Sequence, residues 1–149
     1  KELMEQLLAI PYPLFEKEYL ISQRFGVKNP IYKQTGVHIG TDFVTPIGTP
    51  LYAPFAGTVE RGHGKETGNW LILRTAYGAF RFLHLADGYF STHDTTQKKR
   101  GDFLGLTGDT GLTQGVHCHI EHWKEDVDIA VLTPDNIEDY LMDITKLYV

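Results

Sequence analysis

Glycine and proline are too closely spaced in the middle of this sequence for long helices. Pro46, Gly48, Pro50, Pro54 and Gly57 follow one another at short intervals. Because proline lacks an amide donor and glycine lowers helix stability, this region cannot continue a helix. The segments between these residues are short and rich in β-branched and aromatic side chains, which favours strands joined by turns. We therefore expect an all-β core.

Three segments, residues 58–60, 70–73 and 79–84, have the composition of strands, and residues 76–78 resemble a hairpin turn. Their spacing indicates an antiparallel sheet or sandwich. Short helices are expected at both ends of the chain. Apolar residues at helical spacing predict one within residues 1–10, and Thr133 followed by Pro134 predicts another over residues 134–145.

Composition excludes several classes of protein. The 149 residues suit one domain, and a formal net charge of −5 argues against a nucleic-acid binder. No apolar run approaches the ~20 residues that a membrane-spanning helix needs. Cys118 is the single cysteine, which excludes an internal disulfide. Residues 1–10 lack the cationic start and cleavage site of a signal peptide.

Seven histidines are the unusual feature of the composition. In a strand over residues 116–121, alternation places His117, His119 and Glu121 on one face. Two imidazoles there suit a metal site, in which one binds the ion and the other acts on the substrate or bound water. A pair of surface histidines on an edge strand is the simpler alternative.

A second histidine motif contains His38 and Asp42, separated by Gly40. A turn through Gly40 would let both side chains reach one ion, although a hydrogen bond between them would also explain the pattern. With His119 they make a set of two imidazoles and one carboxylate. That set leaves one tetrahedral position open, as in catalytic zinc sites, and other divalent ions also fit it.

The remaining histidines are expected to lie outside this site. His63 and His93 are predicted in polar loops, and alternation turns His122 away from His119.

Seven motifs in order resemble the lysostaphin/LytM-type zinc endopeptidases over residues 23–123. They are GVHIGTDF (36–43), GTPLYA (48–53), AGTV (56–59), GNWLIL (68–73), FLHL (82–85), GDFLGLTGDTG (101–111) and HCHIE (117–121). The resemblance implies the antiparallel fold of the LytM peptidase type and one zinc ion bound by His38, Asp42 and His119. It further implies that His84 and His117 are the catalytic histidines and that Tyr32 steadies the transition state.

The resemblance also implies the reaction and the domain organisation. A zinc-bound water would attack peptide bonds in the stems or cross-bridges of peptidoglycan, in the cell envelope or outside the cell, including on a phage particle. Residues 1–22 would be an N-terminal extension, residues 23–128 the metallopeptidase domain, and residues 129–149 a helical extension packed on it. The partner is then a peptidoglycan peptide, and neither nucleic acid nor a membrane span is expected.

Two other functions are compatible with parts of the pattern. One is a catalytically silent LytM-like module that binds cell wall, activates a hydrolase or serves in a phage structure, with residues 1–22 blocking the groove. The other is an iron oxygenase, which also uses two histidines and a carboxylate. The order of the motifs favours the peptidase.

Overall fold

The computed structural model describes residues 2–87, 96–112 and 117–149. The strands of this part, numbered in chain order, are β1 (Ile21–Gln23), β2 (Thr41–Phe43), β3 (Pro50–Tyr52), β4 (Gly57–Gly64), β5 (Gly68–Thr75), β6 (Gly78–Leu85), β7 (Gln97–Lys98), β8 (Phe103–Leu106), β9 (Cys118–Trp123) and β10 (Leu141–Met142). Within the described ranges, an eight-stranded sheet has the order β1-β2-β9-β6-β5-β4-β7, with β10 also paired to β9. These pairings are antiparallel, which confirms the predicted all-β fold.

The three predicted strands lie within β4, β5 and β6, and a two-residue turn joins β5 to β6 as expected. Gly78 follows this turn with a φ of 110°, and an added Cβ would lie 2.3 Å from the carbonyl oxygen of Trp123. The predicted loop position of His63 is wrong, because His63 belongs to β4, where its Nδ1 is 2.8 Å from Oδ1 of Asn69. His93 lies outside the described residues.

The helices are short, and one prediction for them is wrong. Helix α1 (Glu2–Leu8) confirms the N-terminal helix, whereas α2 spans only Ile137–Tyr140, and 3-10 helices cover Ile129–Val131 and Ile144–Tyr148. A helix over residues 134–145 would place Leu141 and Ile144 on one face, but they pack in two different cores. None of the described helices has the length and apolarity needed to cross a bilayer. The predicted domain boundaries after residues 22 and 128 stay predictions.

The two faces of the large sheet bury different sets of side chains. Phe80, Phe82 and Ile120 point to one face, where β3 and β8 form a second sheet that covers them. The opposite face carries Trp123, which packs against the C-terminal segment. Since residues alternate along a strand, His119 and Glu121 of β9 belong to the face of Trp123. The candidate functional residues therefore lie on the side of the sheet opposite the larger core.

Candidate metal centre

The pairing of β2 with β9 brings two of the predicted ligands together. Asp42 and His119 are directly opposite each other in the register, and Nδ1 of His119 is 2.8 Å from Oδ1 of Asp42. His38 precedes β2, and its Nε2 is 3.3 Å from the other carboxylate oxygen of Asp42. One ligand atom from each of the three residues lies within 4.8 Å of the others. The register of the sheet thus brings together two residues, Asp42 and His119, that are far apart in the sequence.

The chemistry of these three side chains fits a divalent cation. Two imidazoles and a carboxylate are the donors that zinc accepts, and three protein ligands leave room for a further one. Nδ1 of His38 is 3.2 Å from the carbonyl oxygen of Arg24, which can accept a hydrogen bond from its N–H group. That hydrogen bond would leave the lone pair of His38 on Nε2, the nitrogen that faces Asp42.

The imidazole of His119 has a carboxylate on each side. Its Nε2 is 2.8 Å from Oε2 of Glu121, and Trp123 Nε1 donates a hydrogen bond of 2.7 Å to Oε1 of the same carboxylate. Burial opposes protonation of His119, but the hydrogen bonds to Asp42 and Glu121 raise its pKa to about 9. Burial likewise opposes ionisation of the two carboxyl groups, but hydrogen bonds to His119 hold the pKa of each below its ordinary value.

A bulge in β6 directs His84 toward the site. Leu71 pairs with Phe82 but Asn69 pairs with Leu85, so β6 has one extra residue between these pairs. His84 has a φ of 59°, the only positive value outside glycine in the described ranges. Strict alternation would place His84 on the core face with Phe82, whereas the bulge gives that position to Leu85.

His84 and His117, the two predicted catalytic histidines, lie side by side next to the three candidate ligands. Their ring centroids are 5.5 Å apart, and Nε2 of His117 is 3.9 Å from Oδ1 of Asp42. Nδ1 of His84 lies 2.7 Å from the carbonyl oxygen of Thr110, so this nitrogen carries a proton and donates it. Burial lowers the pKa of His84, although the bond to Thr110 opposes that shift. Neutral His84 therefore has its lone pair on Nε2.

Tyr32 lies beside the first ligand. Its ring centroid is 5.4 Å from that of His38, and its hydroxyl group donates to Oε1 of Gln23. Burial, and after it the negative charge of Asp42, raise the pKa of the phenol. The hydroxyl group therefore stays protonated at neutral pH and is engaged with another side chain.

Two residues of the site, Glu121 and Thr110, received no role from the sequence. Alternation placed Glu121 on the face of His119, and this shared face is the signal in the sequence that indicates a contact between the two side chains. Thr110 is far from His84 in the chain, so no local pattern indicates their contact. Gly40 was expected to form a turn, and the structure adds that a Cβ there would lie 2.6 Å from Cε1 of His119.

Comparison with known proteins gives consistent matches. The model of a family described as Peptidase family M23 matches residues 36–131. Peptidoglycan DD-endopeptidase ShyA from Vibrio cholerae is 34% identical over 115 residues, which are 74% of this chain and 26% of that protein. The chain spans between about a quarter and a third of the length of the first curated relatives it matches.

Comparison with solved structures gives matches to proteins of the same kind. The crystal structure of a zinc containing peptidase from Vibrio cholerae matches with a TM-score of 0.62 and 33% identity, covering 74% of this chain and 35% of that one. The catalytic domain of lysostaphin from Staphylococcus simulans matches with a TM-score of 0.65 over 88% of this chain and 93% of the other. At 24% identity, this second match shows a shared fold.

Proposed function

Because the chain belongs to peptidase family M23, we propose that it is a zinc-dependent endopeptidase that hydrolyses peptide bonds in the stems or cross-bridges of peptidoglycan. The resemblance to the lysostaphin/LytM-type endopeptidases is confirmed by this membership. The names of two matches, a peptidoglycan DD-endopeptidase and a zinc containing peptidase, support the substrate and the metal. A peptidoglycan substrate would place the protein in the cell envelope or outside the cell.

One observation carries the proposal. Ligand atoms of His38, Asp42 and His119 converge within 4.8 Å of one another, and two further imidazoles lie beside them. A site that served only to stabilise the fold would have no need of His84 and His117 next to a three-ligand set. Structural zinc sites are instead closed by four protein ligands.

The side chains divide the chemistry between them. His38, Asp42 and His119 would hold the zinc ion. When bound, the ion would lower the pKa of a water molecule and polarise a peptide carbonyl. Nδ1 of His84 is held by the carbonyl oxygen of Thr110, so its Nε2 is free to take a proton as general base. His117, the neighbouring imidazole, would donate a hydrogen bond to the oxygen of the tetrahedral intermediate. Tyr32 would have to leave Gln23 before its hydroxyl group could assist.

Digestion of purified sacculi tests the function directly. The protein is stripped of metal with a chelator, reloaded with zinc, and incubated with sacculi of several peptide chemotypes. We expect mass spectrometry to find fragments heavier by one water at a peptide bond, produced only by the zinc-loaded protein. The Asp42→Ala variant should yield none. If the zinc-loaded protein binds sacculi but cuts no chemotype, the silent cell-wall-binding module is the correct function instead.

Variants of His84 and His117 test their roles. His84→Ala and His117→Ala should each lower kcat by ~10²–10⁴-fold, because a proton acceptor or an oxyanion donor is lost. The zinc content, measured by atomic absorption, should stay at the wild-type value. The His63→Ala variant, which removes an exposed imidazole on β4, is the matched control. Full turnover by either site variant contradicts the role given to that histidine.

A further inference from the structure

The carboxylate of Glu121 has both oxygens occupied by donors inside the protein. Oε2 is 2.8 Å from Nε2 of His119, and Oε1 accepts a 2.7 Å hydrogen bond from Nε1 of Trp123. Glu121 is only 4% exposed and Trp123 is fully buried, so water does not compete for these contacts. A carboxylate in this setting has one fixed orientation, since rotating it would break both hydrogen bonds.

A half-buried arginine lies next to this carboxylate and its tryptophan partner. Arg81 is opposite Glu121 in the register of β6 and β9. The guanidinium lies 3.9 Å above the ring of Trp123 and donates to the carbonyl oxygen of Val127 and to Oδ1 of Asp126. Arg81 therefore packs the indole ring from one side and holds it against the C-terminal segment.

These contacts decide which nitrogen of His119 faces the metal centre. An ionised carboxylate can only accept hydrogen bonds. Nε2 of His119 must therefore carry a proton and donate a hydrogen bond to Glu121. Nδ1, the nitrogen 2.8 Å from Asp42, is then the one whose lone pair a bound cation would take, displacing the proton that Nδ1 donates to the carboxylate. We propose, on the basis of the proposed function, that Glu121 is a positioning residue that fixes the ring and the tautomer of His119 for the cation, and that Trp123 and Arg81 fix Glu121.

The variant Glu121→Gln separates this role from simple packing. An amide has the same shape but a single acceptor oxygen, so it cannot accept from both His119 and Trp123. One of these donors then faces an NH₂ group, and the ring of His119 loses its defined orientation. We expect zinc affinity, measured by competition with a chromophoric chelator, to fall by about 10–100-fold. The absorption spectrum of the cobalt-substituted protein should change as well, since it reports ligand geometry.

The double variant provides a rescue that a merely structural role would not show. In Glu121→Gln/Trp123→Phe the indole donor is absent, so the amide oxygen can serve His119 alone. We expect the loss of zinc affinity caused by Glu121→Gln to be smaller in the Trp123→Phe background than in the wild type. The Glu60→Gln variant makes the same chemical change at an exposed glutamate of β4 and should bind zinc as the wild type does.

A measurement on the wild-type protein needs no variant to fold. In the zinc-loaded protein, ¹⁵N spectra of the histidine side chains should show His119 with a proton on Nε2 and none on Nδ1. The reverse assignment overturns the inference, and so does wild-type zinc affinity in Glu121→Gln or an undiminished loss in the double variant.

The two proposals of function and positioning can fail separately. A wild-type protein that binds no zinc contradicts both. A protein that binds zinc, loses affinity through Glu121→Gln and yet cuts no sacculus contradicts the peptidase function and supports the positioning role.

Discussion

At the residue scale, Gly40 makes the metal centre sterically possible. It lies between His38 and Asp42 in the chain, and the ring of His119 lies directly against it. An added Cβ would be 2.6 Å from Cε1 of His119 and 2.8 Å from the carbonyl oxygen of Ile120. Neither the buried ring nor the strand backbone can move away without disturbing the pairing of β2 with β9. Glycine therefore permits a contact that every other residue would prevent.

Replacing Gly40 should weaken both zinc binding and the fold. We expect Gly40→Ala to lower the free energy of unfolding by ~1–3 kcal/mol, the usual cost of overpacking a buried position. Zinc affinity should fall because His119 is displaced. Urea unfolding and chelator competition measure the two effects. Gly105→Ala is the control, since its Cβ would lie 3.7 Å from the nearest atom, at Arg61. Equal behaviour of the two variants would show that the contact at Gly40 is unimportant.

At the element scale, the bulge of β6 could not be predicted from the sequence. Alternation over residues 79–84 assigns His84 to the core face together with Phe80 and Phe82. The bulge depends instead on backbone contacts with distant segments: the amide of His84 donates to Thr67, and its carbonyl oxygen accepts from Gly108. Local patterning predicts a strand here correctly but has no information about these partners.

The strain at the bulge can be measured with two substitutions at one position. In the left-handed conformation glycine is favoured over alanine by about 1 kcal/mol. We therefore expect His84→Gly to have a free energy of unfolding about 1 kcal/mol above that of His84→Ala, although neither is catalytic. At Leu83, which has no positive φ, the order should be reversed. The same order at both positions contradicts the bulge.

The C-terminal segment shows how packing overrides a helix signal. Thr133 and Pro134 do begin a turn, but Leu141 leaves the helix, pairs with Trp123 of β9 and becomes 1% exposed. Continuing the helix would keep this leucine out of the core around Trp123. Its burial there is more favourable than the additional helical turn. A single sequence shows the start of such a segment more clearly than its end.

Adjacent substitutions in β10 test this account. Leu141→Ala should lower the free energy of unfolding by ~2–5 kcal/mol, as for other buried leucines. Met142→Ala should have a much smaller effect, because Met142 is 36% exposed on the other face of the strand. Denaturant unfolding of the two variants gives the comparison, and similar losses would contradict the burial pattern.

At the scale of the whole molecule, the sequence predicted the sheet and the cluster His38, Asp42 and His119 because each depends on short motifs. It did not predict what holds the cluster in place. The contacts of Glu121 with Trp123 and of His84 with Thr110 depend on how strands and loops pack against each other. Short sequence motifs carry no information about that packing.

The stability of the metal-free protein should depend on pH through His122. This imidazole stacks on Phe80 and hydrogen-bonds the carbonyl oxygen of Tyr77 through Nε2, and burial lowers its pKa below the ordinary 6.5. As the pH falls below 6.5, the unfolded chain takes up this proton before the folded one does. The free energy of unfolding should therefore decrease until the pH reaches the lower pKa of the folded state.

The His122→Gln variant should lose part of this pH dependence while keeping a donor for Tyr77. Urea unfolding at pH 7 and pH 5 measures the difference, and His63→Gln, which alters an exposed imidazole, is the matched control. An unchanged pH dependence in His122→Gln would show that other groups cause it.

The pairing of β2 with β9 has a consequence for how the protein would acquire the proposed ion. Asp42 and His119 are 77 positions apart and meet only when these strands are joined. The unfolded polypeptide thus offers no preformed chelate, and a cation would bind only after the sheet has closed. Since divalent ions compete for imidazole and carboxylate donors, the ions present in the compartment where folding finishes would decide which metal this site takes up.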